Sequence, residues 1–294
     1  MNEKKIPIKL EIHYYLIDNI HAMDAFVYNE CEHELLILIK ELQSLLSLDN
    51  YTLDVEAISE GGIRSRLVLF IKDKQFILFA LGLIGGVITT KLNEDRELNF
   101  LQKEKIKLEI KKLKKELNHD QPNDTINIEI TDILNSDIKI VKRKSNYYSN
   151  LLKDSRIARV STSLLDEENN IIGDEHIVER SQFKDYILDT DELESAIVED
   201  AIIEIVSPVL KDNKIKWKGN YNGKRLSFTM DDFDFIRQIL TEKVAFKKGT
   251  YIQCVLEIKR KLNELGELNI PVYSVQQIPE QYVQWIPEQS VQLF

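Results

Sequence analysis

Cysteine and histidine are scarce in this chain, which has 294 residues but only two cysteines and five histidines. Cys31 and Cys254 lie far apart, and neither belongs to a C-x-x-C pair. The sequence therefore offers no disulfide framework and no structural zinc site. So few thiols are typical of a reducing, cytoplasmic setting. The histidines are scattered, and we predict no metal site and no cofactor.

The common signatures of enzymes are also missing. The chain has no G-x-G-x-x-G, no G-x-x-x-x-G-K-[ST] and no G-x-S-x-G motif, which argues against dinucleotide binding, a P-loop and a nucleophile elbow. His33 and its acidic neighbours lack the spacing of a metal site. Glu257 and Lys259 form a weak nuclease-like pattern that alternating charges on a strand also produce. The sequence favours a protein that is not an enzyme, although it does not decide the matter.

Basic residues are outnumbered by acidic ones. The chain has 39 lysines and arginines against 49 aspartates and glutamates, a formal charge of -10. General binding of nucleic acid requires a basic surface that displaces counterions from phosphates. The overall composition therefore opposes that function, but it is compatible with a local basic patch.

Residues 76–90 form an apolar run without a charged side chain. At about 15 residues the run is shorter than the roughly 20 that a bilayer-spanning helix needs. Its glycines include Gly82 and Gly86, whose G-x-x-x-G spacing lets membrane helices approach closely. Two interpretations stay open at this stage. The run is either a short, self-associating membrane span or a central element of a soluble core.

Residues 93–118 are predicted to form a charged helix that is acidic at its start and basic at its end, as the helix dipole favours. Four aliphatic residues in it step by four, three and four positions, which is the spacing of a coiled coil. The helix is predicted to be a stalk or coiled coil, or else to pack on its own domain. The predicted self-association residues are Gly82, Gly86, Ile106, Ile110, Leu113 and Leu117.

Hydrophobic periodicity predicts an α+β fold. Residues 6–17 and 51–58 alternate as strands around a helix at 23–47, giving a strand–helix–strand unit. Helical spacing predicts one apolar stripe on this helix from Phe26 through Cys31 to Leu45. Residues 63–71 are predicted to be a helix lying against the membrane surface. The C-terminal half is predicted to be a small, partly open β-barrel or sheet carrying one helix. The predicted divisions are the α/β unit at 1–62, the apolar helix or core element at 63–92, the charged helix at 93–118, a linker at 119–125, the β-rich domain at 126–275 and an extended Pro/Gln tail at 276–294.

Aromatic and basic residues interleave beside Asn222-Gly223, a dipeptide that strongly predicts a β-hairpin. Such a mixture can stack on bases and contact phosphates, although aromatics on an alternating strand more often face the core. The candidate ligand face consists of Lys216, Trp217, Lys218 and Tyr221. The shorter basic run at 142–144, beside two tyrosines, is interpreted as a solvated surface.

The tail contains an internal repeat, Ile-Pro-Glu-Gln-x-Val-Gln, at a period of eight residues. Its prolines favour an extended backbone. An extended segment of this kind is suited to pair with the sheet edge of a partner. The alternative is a loosely attached terminus.

The layout of the chain resembles bacterial proteins without an assigned function that are found among phage-defence genes. The resemblance is carried by residues 21–26, the Glu60-Gly-Gly break, the apolar run with its charged helix, and the segments 207–210 and 217–219. It implies a sensor or effector that faces the cytoplasm, works by assembly and is located there or at the inner membrane. It assigns no functional residue.

Two hypotheses about function follow. The first is a defence-associated interaction protein that forms homo-oligomers through residues 76–117 and binds a protein partner or ligand with its β-rich domain, in the cytoplasm or at the inner membrane. The second is a soluble nucleic-acid-binding or hydrolytic defence protein whose apolar run belongs to its core. Salt-dependent binding to nucleic acid distinguishes them.

Overall fold

The computed structural model describes residues 8–17, 22–46, 53–55, 63–69, 106, 108–109, 112, 134, 137–173, 175–209, 216–241, 246–247, 249–279 and 283–285. The chain divides into two compact units. Unit 1 comprises Met1–Asp191 with Asn263–Glu267, and unit 2 comprises Glu192–Leu262 with Leu268–Phe294. Both units combine helices with a β-sheet, which confirms the predicted α+β class.

In the described residues, unit 1 contains a five-stranded antiparallel sheet and two long helices. Its elements are β1 (Ile8–Leu16), α1 (Ala25–Leu46), β2 (Leu53–Val55), β3 (Ile63–Leu69), α2 (Ile138–Lys153), β4 (Ile157–Leu165), β5 (His176–Glu179) and a 3-10 helix (Arg180–Tyr186). The sheet order is β2-β3-β1-β4-β5. Strands β1 to β4 with their two helices form the split βαβ arrangement known from ferredoxin-like folds.

The helices of unit 1 pack on one face of this sheet. Leu10, Ile12 and Tyr14 alternate along β1 and are buried in one cluster with residues of α1 and α2. The predicted apolar stripe of α1 is confirmed from Cys31 to Leu45. Phe26, which the same spacing placed in the stripe, is instead 82% exposed. It lies in the first turn of α1, in which the next residue, Val27, is buried instead.

Two parts of unit 1 differ from the sequence prediction. Residues 63–69 form β3 and not a surface helix; β3 pairs with both β1 and β2. Helix α2 and strand β4, which were assigned to the C-terminal domain, complete the sheet and core of unit 1. Antiparallel pairing between β1 and β4 joins segments about 150 residues apart, a distance over which periodicity carries no information. The predicted linker at 119–125 lies outside the described residues.

Unit 2 is a closed five-stranded barrel. Its elements are β6 (Ala196–Ser207), β7 (Trp217–Tyr221), β8 (Lys224–Met230), α3 (Phe233–Leu240), β9 (Thr250–Lys259), β10 (Val272–Gln277) and β11 (Val283–Trp285). The strands follow the order β6-β7-β8-β10-β9, and β9 pairs again with β6 to close the circle. The pair β8–β10 is parallel, whereas the other pairs are antiparallel.

The connectivity of this barrel is specific. Counted along the chain, its strands follow the order 1-2-3-5-4-1, and α3 lies between the third and fourth strands. This is the arrangement of the OB-fold, a five-stranded Greek-key barrel. The sequence predicted a small barrel or sheet with one helix, and the barrel is confirmed.

One turn and one strand of unit 2 follow from local sequence signals. Asn222 and Gly223 both have positive φ, 48° and 73°, as the type I′ turn of a two-residue hairpin requires. The tail also supplies a strand, since β11 pairs antiparallel with β9. The sequence predicts that the extended tail pairs with the sheet edge of a partner. In the structure, residues 283–285 pair instead with the barrel of their own chain.

Within the described part of the chain, no helix is both long enough and apolar enough to cross a membrane. The apolar run at 76–90 lies outside that part, so the choice between a membrane span and a core element stays open.

Candidate nucleic-acid interface

The hairpin formed by β7 and β8 gives unit 2 a basic surface. We call residues 216–230 the basic hairpin. This stretch contains four basic residues and no acidic residue, although the whole chain has a formal charge of -10. All four basic side chains are exposed; they are Lys216, Lys218, Lys224 and Arg225.

Strand alternation directs part of this charge to the outside of the barrel. Along β7, Lys218 and Asn220 alternate with the buried residues Trp217 and Gly219. Along β8, Arg225 and Ser227 alternate with residues of the core. Lys218 pairs with Ser227 and Asn220 pairs with Arg225. Lys218 and Arg225 are therefore diagonal neighbours on one surface, with backbones about 7–8 Å apart.

The inward side of the same hairpin is part of the barrel core. Trp217 is 3% exposed and contacts Phe228, Phe235 and Phe246. Its ring centroid lies 5.4 Å from that of Phe246 in an edge-on arrangement. The Trp217 side chain consequently stabilises the barrel, and its ring faces are covered by protein.

The four predicted ligand-face residues thus separate into two groups. Lys216 and Lys218 are exposed. Trp217 is buried, and Tyr221 is half-buried and packs against the barrel core. The sequence-based prediction did not include Lys224 and Arg225, which lie beside the predicted ligand face on the other side of the turn. The signal for them was available, since Asn222-Gly223 predicts a two-residue hairpin that brings the following residues beside Tyr221.

Strand β6 borders the basic hairpin on one side. Glu204 of β6 pairs with Asn220 of β7, and the Asn220 side-chain amide donates a hydrogen bond of 2.7 Å to the Glu204 carboxylate. Ile202 and Val206 lie on either side of Glu204 and are 59% and 50% exposed. The surface next to the basic hairpin is therefore apolar at two positions and acidic at one.

A second basic segment proves to be buried. The run at 142–144, interpreted from sequence as solvated, lies on α2, where Lys142 is 6% exposed, Arg143 is 5% and Lys144 is 1%. Lys142 Nζ is 2.7 Å from the Asp191 carboxylate, and Arg143 is paired with Glu34. Burial lowers the pKa of Lys144 to about 7. These residues support the core of unit 1 and are not accessible to a polymer.

The exposed face of the unit 1 sheet also has charged residues, but they interact with one another. Arg66 donates hydrogen bonds to the Glu11 carboxylate. The Arg159 guanidinium lies 4.3 Å from the ring centroid of Tyr15, a cation–π distance. Positive charge on this face is thus balanced locally, which distinguishes it from the basic hairpin.

Helix α1 carries the His and Glu residues that could have suggested catalysis. Glu32 accepts hydrogen bonds from Tyr14 Oη and Ser65 Oγ, so it connects the helix to β1 and β3. Burial raises the pKa of the Glu32 carboxyl. Among the described residues, no cluster of His, Cys, Asp or Glu could hold a metal ion.

Both cysteines are unreactive in this environment. Cys31 and Cys254 are buried. Burial raises the pKa of the Cys254 thiol to about 12, and it also raises the pKa of Cys31. A thiol is a nucleophile in its deprotonated form, so neither cysteine is suited to nucleophilic chemistry at neutral pH.

Of the predicted self-association residues, the structure describes Ile106. This residue is helical, 3% exposed and part of the hydrophobic core of unit 1. Gly82, Gly86, Ile110, Leu113 and Leu117 lie outside the described residues, and self-association stays a prediction.

No protein-family model matches the chain, and neither the curated proteins nor the solved structures contain a significant match to it.

Proposed function

We propose that this protein binds nucleic acid through the basic hairpin of its barrel. The observation that carries the proposal is where the charge lies. In a strongly acidic chain, four exposed basic residues occur together on β7, β8 and the residue that precedes β7. Strands β7 and β8 are the second and third strands of a barrel with OB connectivity, whose corresponding face binds oligonucleotides or oligosaccharides in other proteins.

Topology alone is a weak argument, because one fold serves many functions. The charge adds the chemical reason. Lysine and arginine side chains neutralise phosphates and release condensed counterions, which gives affinity that falls with salt. A neutral oligosaccharide would gain nothing from four exposed cations, so the charge favours the nucleic acid over the sugar.

The test uses the full-length chain and a pair of matched variants. K218Q/R225Q removes two charges from the basic hairpin. R237Q/K259Q removes two charges from exposed positions on α3 and β9, away from the hairpin. Binding of a fluorescein-labelled single strand and of its duplex is followed by anisotropy from about 50 mM salt upward, the range in which phosphate contacts are most sensitive.

We expect the natural protein to bind at low salt and to lose affinity as salt rises. K218Q/R225Q should weaken binding and reduce the slope of log affinity against log salt by about 0.7 for each lost phosphate contact. R237Q/K259Q should leave both the affinity and the slope unchanged. Absence of binding to either probe at low salt, or equal losses in the two variants, would contradict the proposal.

Self-assembly is the other predicted activity. An association with phage defence, a protein partner and a location at the inner membrane are also still predictions. The burial of Ile106 in the core of unit 1 supports the interpretation in which the charged helix packs on its own domain. Sedimentation of the full-length chain tests this point, since a monomer at micromolar concentration would exclude assembly under those conditions.

A further inference from the structure

The surface beside the basic hairpin has features that phosphate binding does not use. Strand β6 pairs with β7 along Glu204–Ser207. On the outside of this strand, Ile202 and Val206 are 59% and 50% exposed. Branched aliphatic side chains on an outer barrel strand gain nothing from water, and strand alternation would equally have allowed polar residues there.

The register of β6 and β7 sets these residues next to the cations. Ser207 pairs with Lys218 and Glu204 pairs with Asn220. The register shifts between Ile205 and Ser207, so Val206 is the extra residue of a β-bulge beside Lys218. Continuing the register of the Glu204–Asn220 pair brings Ile202 opposite the turn at Asn222. Two exposed apolar side chains thus lie along the edge of the basic hairpin, four positions or about 13 Å of strand apart, with Glu204 between them.

We infer that the ligand is a single-stranded nucleic acid whose bases pack on Ile202 and Val206 while its phosphates contact the basic hairpin. A single strand presents both chemistries side by side, an apolar base and an anionic phosphate in each nucleotide. In a duplex the base faces are stacked on one another and only their edges and the phosphates are accessible. This inference rests on the proposed function.

Charge complementarity selects this occupant over a protein partner. The four cations of the basic hairpin have no acidic residue among them in sequence, and the neighbouring Glu204 is engaged by Asn220. The combination of a basic strip with an adjoining apolar strip matches the repeating unit of a polynucleotide. Contact between bases and side chains is tolerant of sequence, because every base has an apolar face.

The experiment separates base contacts from phosphate contacts by using two ligands of equal charge. The first is a labelled oligothymidine, and the second is a chain of the same length that consists of abasic sites. The test variant is I202S/V206S. The matched control is I197S, which changes another exposed isoleucine of β6; Ile197 is 55% exposed and pairs with Glu257 of β9, away from the hairpin.

We expect the natural protein to bind oligothymidine roughly tenfold more tightly than the abasic chain and than a duplex, in line with the usual strength of base contacts. I202S/V206S should lose most of that difference and leave affinity for the abasic chain unchanged. I197S should change neither. A complementary variant, I202Y, supplies an aromatic ring and should strengthen oligothymidine binding several-fold.

The inference is overturned if the abasic chain binds as tightly as oligothymidine, or if I202S/V206S weakens both ligands equally. It is also overturned if the duplex binds most tightly. In those cases the proposed function still stands, provided that K218Q/R225Q reduces binding to the abasic chain. If no polynucleotide binds at low salt, both the inference and the proposed function fail. Tryptophan fluorescence of each variant shows that the barrel is folded, because both tryptophans belong to unit 2.

Discussion

The ion pair between α1 and α2 should make unit 1 sensitive to the loss of one carboxylate. Arg143 Nη1 lies 3.2 Å from each oxygen of the Glu34 carboxylate. The two side chains are only 7% and 10% exposed. Replacing Glu34 by glutamine retains the shape of the side chain but leaves the arginine charge buried without its counterion.

The expected cost of E34Q is about 3–5 kcal/mol, the usual penalty for breaking a buried ion pair from one side. The matched control is E30Q, one turn earlier on the same helix. Glu30 pairs with Lys153 at 2.7 Å, but these side chains are 48% and 53% exposed. An exposed pair contributes about 0–1 kcal/mol, so the two variants differ in burial and hardly in distance.

Urea unfolding measures the difference, and the spectroscopic probes separate the two units. Far-UV circular dichroism follows mainly α1 and α2, which have 22 and 16 residues against 8 in α3. Both tryptophans, Trp217 and Trp285, belong to unit 2, so their fluorescence follows the barrel. With an m-value of about 2 kcal/mol/M, E34Q should lower the helical midpoint by roughly 1.5–2.5 M urea.

A double variant checks the physical reason. E34L/R143M replaces both charged groups by apolar ones and should recover most of the stability lost in E34Q, because the cost arises from the remaining buried charge and not from the lost attraction. The reasoning is refuted if E34Q shifts the midpoint no more than E30Q does, or if the double variant is less stable than E34Q.

Further predictions concern packing and pH. A methyl group at Gly219 would lie 2.6 Å from Ile203 Cγ2 and 2.7 Å from the Glu204 carbonyl oxygen. G219A should therefore destabilise the barrel by about 1–3 kcal/mol, measured by tryptophan fluorescence in urea, whereas S227A on the exposed side of β8 should not; equal midpoints would contradict the close approach. Burial lowers the pKa of Lys144 to about 7, while the unfolded chain keeps that proton up to about pH 10.4. The unfolded state binds more protons between these values, so stability should rise with pH across the interval. K144M should flatten this rise in urea titrations, and an unchanged pH profile would show that Lys144 is not its source.

Local elements of the fold could be predicted because their signals lie within a few residues. The helical spacing from Cys31 to Leu45 places the apolar stripe of α1, and Asn222-Gly223 fixes the hairpin between β7 and β8. These patterns depend on the period of the backbone, which neighbouring residues share. The alternating segment predicted at 6–17 is confirmed as strand β1 for the same reason.

Elements whose environment depends on distant residues were not predicted. Residues 142–144 read as a solvated basic run, but their counterions come from Glu34 and Asp191, 109 and 49 positions away in the chain. The sequence predicts a helix at 63–71 because the apolar run follows it, whereas residues 63–69 form β3, whose partner β1 lies about 55 residues earlier. Long-range pairing decides both cases, and no local period reveals it.

The candidate site shows the same division. Lysines at 216 and 218 could be assigned from their interleaving with aromatic residues, since alternation on a strand separates the two faces. The sequence did not show which of the two strand faces points outward. Trp217 lies inside the barrel. The position of Ile202 and Val206 beside the basic hairpin follows only from the pairing of β6 with β7.

The sequence by itself determined strand β1, helix α1, the hairpin turn and the concentration of positive charge at 216–230. These properties follow from side-chain period, backbone preference and formal charge, each of which is local. The tertiary structure alone decided that α2 and β4 belong to unit 1 and that unit 2 closes as a barrel of order 1-2-3-5-4-1. It also decided that Ile202 and Val206 of β6 border the basic hairpin. Strand order joins residues far apart in the chain, and burial depends on what those distant residues cover.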